Sequence, residues 1–382
     1  YFRDVSDWEG ADWYAPAGDV PKVERLSWGR QNWFPWWEAE HRAAREGVVI
    51  MDMSFMSKFQ VAGRDAGRVL NYVSANNVDG QPGTITYTQW LNEKGTLEAD
   101  LTVGKLDDER FLVVVTDTMH RHAETWLKRH IPHDAHAFVT DVTSGYCQLN
   151  LQGPKSRALL QTLTSADLSN EVFPFRAVRE IDIGYARVLC VRITYVGELG
   201  YELYIPAEQA AHVYDRLVAA GAGFGLVHAG LKALASLRLE KGYRDYGHDI
   251  DNTDNAFETG LGMFVDLSTP RDFIGREAAL RQKSAGPMTR RLAQVLVKDP
   301  EPLLFHAEIV LRDGKPAGYV RAGSYGHTLG GAVGLAMIEA DRPIDAAWLG
   351  AGRWEVDIAG RRYPADVSLR PLYDPQMKRV RG

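Results

Sequence analysis

The sequence predicts a mixed α+β protein in two parts, and two observations indicate this class. Before residue 285, helix and strand patterns mix, and neighbouring strands are joined by hairpins instead of a steady βαβ alternation. From Arg290 onward the chain is rich in strands, and Asp313-Gly314 between two alternating apolar runs is a strong hairpin signal. We therefore place a boundary at 285–290 and expect an antiparallel barrel or sandwich after it.

The composition is that of a globular protein with a sizeable core. The chain has 382 residues, of which 45% are hydrophobic and 25% charged, and this length suggests two or three domains. Its net charge of −6 argues against nucleic acid or an anionic membrane as a partner. The longest apolar run, Phe111 to Val115, is far too short to span a bilayer.

The first 37 residues are predicted to form an extended arm. They show no clean helical or strand period and hold six of the ten tryptophans: Trp8, Trp13, Trp28, Trp33, Trp36 and Trp37. Large exposed aromatic patches are rare on monomers, so we expect the arm to cover a surface, either that of the following domain of this chain or that of a partner domain. Tyr1 is not an initiator Met and no signal peptide follows it, which indicates a chain that begins inside a longer polypeptide or after processing.

The period of the apolar residues defines the elements from residue 38 onward. Helical spacing predicts helices over 38–46, 65–77, 120–131, 156–163, 207–221, 231–242 and 275–286. Alternating or short apolar runs predict strands over 48–54, 58–63, 84–92, 97–106, 110–116, 138–143, 146–152, 179–185, 186–196 and 193–206, and then over 291–297, 307–320, 332–338 and 353–368. The Glu93-Lys94-Gly95 turn predicts a hairpin between the strands on either side of it.

The two cysteines are expected to be buried free thiols. Cys147 and Cys190 both lie in apolar, β-rich runs, and there is no disulfide or zinc pattern. This usage fits a reducing compartment, the cytoplasm or, in a eukaryote, the mitochondrial matrix.

Two patterns resemble ligand-binding motifs, but the elements around them argue against a dinucleotide site and a metal site. The glycine run 221–225 follows a helix, whereas a dinucleotide fingerprint follows a strand. His130, His133 and His136 follow a helix end with Pro132 among them, so we interpret them as a polar loop and predict no metal site.

Asp100 is the first candidate for chemistry. It lies in a strand among apolar neighbours such as Leu97, Leu101 and Val103, where an unpaired carboxylate is unfavourable. One interpretation is a carboxylate that holds a ligand amine and accepts its proton. The other is an edge-strand aspartate that faces water, and the pattern alone does not separate them.

Glu202 is the second candidate. A period of two over 193–206 places Glu198, Gly200 and Glu202 on one face of a predicted strand. Glycines permit close approach, and a carboxylate can take the N–H donors of a flat ligand. The alternative is an edge strand with solvated glutamates.

The order of several long motifs gives the chain a family resemblance. DMSFMSKFQVAG, YTQWLNEKGTLEADLTV, ITYVGELGYELYIP, ASLRLEKGYRDYGHDI, DFIGREAALRQ and SYGHTLGGAVGLA resemble, in this order, the glycine-cleavage T-protein (aminomethyltransferase) superfamily. WEGADWYAP, LEKGYR and RPLYDPQMKRVRG are most similar to the C-terminal folate region of dimethylglycine and sarcosine dehydrogenases and oxidases. The resemblance implies an aromatic arm at 1–37, a folate-binding domain at 38–285 and a C-terminal antiparallel β-barrel at 286–382.

The resemblance also implies site residues. Asp100 matches the family's essential acid at the N10 side of folate, and Glu202 matches the acid that grips the pterin edge. Residues that match positions lining the folate cavity are Met56, Tyr87 and Tyr243. Thr116, which we also expect to bind the cofactor, stands where the T-protein has Asn, and Leu234 stands where it has Arg; both departures favour the amine-demethylating branch.

The function implied by this branch is one-carbon transfer with tetrahydrofolate as cofactor. A methylene unit from an N-methyl amine such as dimethylglycine or sarcosine would give 5,10-methylenetetrahydrofolate. FAD would belong to a partner subunit or to a preceding domain absent from this sequence, and we expect the arm to contact that domain or a neighbouring subunit. Alternatives are a stand-alone folate-dependent demethylase that yields a methyl product, and a folate-binding module without turnover.

Overall fold

A computed structural model describes residues 1–16, 18, 24–27 and 29–382. Trp28, one of the six tryptophans of the predicted arm, lies outside these residues. The described part of the chain contains nine α-helices: α1 Phe34–Glu46, α2 Ala66–Val73, α3 His120–Arg129, α4 Ser156–Gln161, α5 Ala210–Gly221, α6 Leu231–Glu240, α7 Arg276–Ser284, α8 Ala346–Ala351 and α9 Lys378–Arg381.

The same residues form nineteen strands. In chain order they are β1 Phe2–Val5, β2 Trp8–Ala11, β3 Val49–Asp52, β4 Ser57–Ala62, β5 Thr84–Leu91, β6 Leu97–Lys105, β7 Arg110–Val115, β8 Phe138–Asp141, β9 Tyr146–Gln152, β10 Val178–Ile183, β11 Ala186–Val191, β12 Gly200–Pro206, β13 Val227–His228, β14 Arg290–Val297, β15 Ile309–Arg312, β16 Lys315–Gly326, β17 Gly331–Glu339, β18 Trp354–Ile358 and β19 Arg361–Ser368.

Two sheets build the part of the fold before α7. A five-stranded antiparallel sheet has the order β5-β6-β7-β4-β8, and a six-stranded sheet has the order β10-β11-β12-β9-β3-β13. Only the β13–β3 pair of the second sheet is parallel. Residues 53–56 connect β3 of one sheet directly to β4 of the other, so this short segment joins the two sheets.

The C-terminal strands close into a barrel in the order β14-β17-β16-β15-β18-β19. The hairpin between β15 and β16 turns at Asp313-Gly314, where both residues have positive φ. The predicted α+β class with a C-terminal antiparallel barrel is therefore confirmed.

The N-terminal arm differs from the prediction. Residues 2–11 form the β1–β2 hairpin, and α1 begins at Phe34, inside the predicted arm, because a proline in its first turn favours helix initiation. Trp13, Trp33 and Trp37 are buried in the chain's own core, because the arm folds back onto α1 and α6 instead of extending. Trp8 remains 38% exposed, so the contact of this hairpin with a partner stays a prediction.

The predicted strand over 193–206 is wrong in its first half. Strand β11 ends at Val191, and β12 begins only at Gly200. The hydroxyl of Thr194 accepts hydrogen bonds from the N–H groups of Val196 and Gly197, each at 3.2 Å, and Gly197 has φ +82°. These local hydrogen bonds form a turn, and residues 194–197 therefore do not pair with a neighbouring strand.

Both cysteines are free thiols. Cys190 is buried as predicted, whereas Cys147 is partly exposed. Among the described residues, none of the helices is both long and apolar enough to cross a membrane.

Candidate functional site

The hairpin of β5 and β6 positions the first group of site residues. Its register places Gln89 directly opposite Asp100, and Tyr87 lies two residues earlier on the same face of β5. The Tyr87 hydroxyl donates to Oδ2 of Asp100 at 2.7 Å, and the Gln89 amide donates to Oδ1 at 2.9 Å. Both oxygens of the Asp100 carboxylate are thus held by neutral donors.

Two further predicted residues lie at the level of Asp100. The antiparallel register pairs Val115 of β7 with Leu101 on one side and with Ser57 on the other. Asp100 precedes Leu101 on β6, Thr116 directly follows β7, and Met56 directly precedes β4. The fold therefore brings three of the predicted site residues to one end of the five-stranded sheet.

Asp100 can exchange a proton near neutral pH. Burial raises the pKa of its carboxyl group to about 7, with smaller contributions from the carboxylates of Asp245 and Asp249, although the bonds from Gln89 and Tyr87 oppose this shift. Strand β6 lies between β5 and β7. The alternative of an edge-strand aspartate facing water is therefore wrong.

Two pairs of packed aromatic rings belong to this part of the fold. Tyr87 packs edge-on against Phe264 with ring centroids 4.7 Å apart, and Tyr243 stacks on Tyr195 at 5.9 Å. The Tyr195 hydroxyl donates to the carbonyl oxygen of Arg244 at 2.5 Å. Because the charge of Asp100 contributes to the raised pKa of Tyr195, that tyrosine lies within electrostatic reach of the carboxylate.

Glu202 lies on β12 of the six-stranded sheet. Its Oε2 accepts a hydrogen bond from the Tyr204 hydroxyl at 2.6 Å, and burial raises the pKa of its carboxyl group, against the opposing charge of Lys58. Strand β12 is flanked by β11 and β9, so the alternative of an edge strand with solvated glutamates is wrong. Glu202 is consequently a half-buried acid that can accept hydrogen bonds from a ligand.

Lys58 links this acid to the loop that carries Met56. Its side chain is fully buried, and Nζ donates to the carbonyl oxygens of Ser54 at 2.9 Å and Met56 at 2.6 Å. Burial lowers the pKa of Lys58 to about 8, while the charge of Glu202 opposes that shift. Met56 therefore lies on a braced segment between the sheet of Asp100 and the sheet of Glu202.

Glu198 does not join this site. It precedes β12, so the two-residue period that placed it beside Glu202 does not apply. Its carboxylate pairs with Arg45 and Arg379 at 3.3 Å each and accepts a hydrogen bond from Tyr373. It lines a separate surface groove of about 660 Å³ between α4 and the C-terminal segment, whose lining includes none of the site residues above.

Sequence reasoning missed Gln89, Lys58 and Tyr195. A signal was present for two of them: Gln89 shares a strand face with Tyr87, and Lys58 is a lone charge in an apolar strand. Tyr195 reaches the site only because the chain leaves the strand after Val191. In the described ranges, no cluster of three or more His, Cys, Asp or Glu residues is arranged to hold a metal ion.

Comparisons with known proteins cover nearly the whole chain. The family model described as the GCVT N-terminal domain matches residues 1–269, and the glycine cleavage T-protein C-terminal barrel domain matches residues 290–374. The crystal structure of the glycine cleavage system aminomethyltransferase T from Bartonella henselae covers 98% of this chain and 94% of its own, with a TM-score of 0.81 at 22% identity. That similarity shows a shared fold.

Curated relatives point to a branch of the family. A 4-methylaminobutanoate oxidase (formaldehyde-forming) of Paenarthrobacter nicotinovorans is 40% identical over 100% of this chain and 45% of its own length. The mouse mitochondrial pyruvate dehydrogenase phosphatase regulatory subunit is 33% identical over 94% of the chain and 42% of its own length. Mouse mitochondrial dimethylglycine dehydrogenase is 31% identical over 98% of the chain and 42% of its own length. The chain therefore spans less than half the length of each of these three relatives. The chain therefore belongs to the glycine cleavage T-protein (aminomethyltransferase) family, in a group that includes 4-methylaminobutanoate oxidase and dimethylglycine dehydrogenase.

Proposed function

We propose that this chain transfers a one-carbon unit to tetrahydrofolate. The unit is the methylene released by oxidative demethylation of an N-methyl amine such as dimethylglycine or sarcosine, and the product is 5,10-methylenetetrahydrofolate. The oxidation belongs to an FAD-dependent domain or subunit. A reducing compartment, the cytoplasm or the mitochondrial matrix, suits the two free thiols.

The donors and acceptors of the site fit tetrahydrofolate. A pterin presents a flat ring with an amino-pyrimidine edge of N–H donors, and the half-buried Glu202 offers charged acceptor oxygens for such an edge. The rings of Tyr87, Tyr195 and Tyr243 offer apolar faces for the rest of a flat, aromatic molecule. We expect Met56 and Thr116 to complete this lining at the level of Asp100.

The observation that carries the proposal is the environment of Asp100. Bound tetrahydrofolate supplies the nucleophilic nitrogens, so the protein needs no nucleophile of its own. Asp100, with a carboxyl pKa raised to about 7, is able to orient an N–H group and take its proton at neutral pH. Tyr87 and Gln89 hold both carboxylate oxygens by hydrogen bonds, which keeps this acceptor in one orientation.

The test is an Asp100→Ala variant in an assay for 5,10-methylenetetrahydrofolate formation. Formaldehyde and tetrahydrofolate are supplied, the spontaneous rate is subtracted, and the product is oxidised in a coupled dehydrogenase reaction. We expect turnover to fall by about 10²-fold or more, because proton transfer by a positioned acid contributes that much. The control is Asp182→Ala, an exposed aspartate on β10, which should retain wild-type turnover. Wild-type turnover of Asp100→Ala would refute the proposal.

A folate-binding module without turnover is the second candidate. It is favoured by the relative named as a phosphatase regulatory subunit, which covers 94% of this chain at 33% identity. Binding of tetrahydrofolate measured by calorimetry, together with no product above the spontaneous rate in any variant, would select this candidate.

A further inference from the structure

We propose that Gln89 is the positioning residue of Asp100, and that it is present for the orientation of this carboxylate instead of for the stability of the sheet. The inference rests on the proposed function, in which Asp100 accepts a proton. It assigns a role in the reaction to a strand residue that acts through its contact with the acid.

The side chain of Gln89 contacts the carboxylate of Asp100 directly. Gln89 stands opposite Asp100 in the β5–β6 register, its side chain is fully buried, and its amide nitrogen donates to Oδ1 at 2.9 Å. Among the described residues, its other polar atom, Oε1, has no hydrogen-bond partner. The amide thus directs its one side-chain hydrogen bond to the acid of the site.

Replacement of Gln89 by leucine, a side chain of similar size, would remove the donor to Oδ1 of Asp100 and leave the backbone pairing of β5 with β6 in place. Gln294 of the barrel provides the contrast, since it is also buried. Its nitrogen donates to the carbonyl oxygens of Leu239 and Glu240, and its oxygen accepts from the N–H of Leu372. Gln294 is therefore fully paired and structural, whereas Gln89 is not.

The second donor fixes the plane of the carboxylate. With the Tyr87 hydroxyl alone on Oδ2, Asp100 could turn about its terminal torsion, which has a broad energy profile. The Gln89 amide on Oδ1 removes this freedom. Each carboxylate oxygen has two lone-pair directions, so the two donors leave one direction on each oxygen open to receive a proton.

Gln89 is also a neutral donor in charged surroundings. The titratable and charged groups that interact with Asp100 are Tyr87 on β5, Tyr195 on the loop after β11, and Arg244, Asp245, Tyr246 and Asp249 on the segment after α6. Asp245 and Asp249 raise the pKa of Asp100, and the Gln89 bond lowers it because it stabilises the carboxylate form. Loss of this bond is expected to move the acid limb of the pH–rate profile upward by about one pH unit.

The experiment compares Gln89→Leu with Gln294→Leu in the full chain. For Gln89→Leu we expect a melting temperature that falls less than that of Gln294→Leu, a dissociation constant for tetrahydrofolate within about twofold of wild type, turnover reduced about 10- to 100-fold, and the shifted acid limb. For Gln294→Leu we expect a lower melting temperature with wild-type turnover per folded molecule. Wild-type turnover and pH profile in Gln89→Leu, or a loss of stability equal to that of Gln294→Leu, would overturn the inference.

The two possible failures are distinguishable. Wild-type turnover in Asp100→Ala refutes the proposed function. Wild-type turnover in Gln89→Leu beside an inactive Asp100→Ala refutes only the role of Gln89.

Discussion

The Asp100→Asn variant should become more stable than the wild type as the pH rises, because the wild type loses stability and the variant does not. The substitution also removes the proposed proton acceptor. The carboxyl pKa is raised from 3.8 to about 7 in the folded protein. A raised pKa means that the unfolded chain ionises first, so the stability present below pH 4 is lost progressively up to pH 7. Asparagine does not titrate and escapes this loss.

The magnitude follows from the size of the shift. A change of about three pKa units corresponds to about 4 kcal/mol at most, and partial exposure of the side chain reduces this to about 2–4 kcal/mol. The difference in the free energy of unfolding, Asp100→Asn minus wild type, should therefore grow between pH 4 and pH 7 and then level off. Any altered hydrogen bond of the amide adds an offset that does not depend on pH.

The assay is urea denaturation of both proteins at several pH values from 4 to 8. Taking the difference between the two proteins cancels the titrating groups that do not interact with Asp100, and Asp182→Asn, at an exposed strand aspartate, serves as the control. A difference for Asp100→Asn that does not change with pH would mean that Asp100 keeps an ordinary pKa in the folded state. The reasoning about its proton transfer would then be refuted.

Two further substitutions test other parts of the structure. Glu202→Gln should weaken tetrahydrofolate binding about 10-fold with little change in turnover at saturation, because the charged acceptor is lost; equal dissociation constants by calorimetry would reject the role. Arg45→Met should lower the free energy of unfolding by about 3–5 kcal/mol in urea, because it leaves the buried carboxylates of Glu198 and Glu240 without the guanidinium that pairs with them at 3.3 and 2.9 Å. A loss below about 1 kcal/mol would show that this ion cluster is dispensable.

The sequence determined the elements and the class of the fold because local periodicity carries that information. The alternation of apolar residues over β5, β6 and β7 and the turn at Glu93-Lys94-Gly95 predicted the hairpin that presents Tyr87 and Asp100. The ordered motifs predicted the family, which the family models over 1–269 and 290–374 confirm. The roles of Met56, Tyr87, Thr116, Glu202 and Tyr243 toward folate remain predictions.

Only the tertiary structure decided which polar groups meet. Glu198 and Glu202 look equivalent in the sequence, yet a turn held by the Thr194 hydroxyl sends Glu198 to Arg45 and leaves Glu202 with Tyr204. The tertiary structure also decided the position of the aromatic arm, because Trp13, Trp33 and Trp37 pack in the apolar core of their own chain. Such outcomes depend on contacts between residues far apart in sequence, and a local pattern carries no information about them. The raised pKa of Asp100 has the same origin, because burial by distant segments sets the pKa of a carboxylate whose own strand sequence is ordinary.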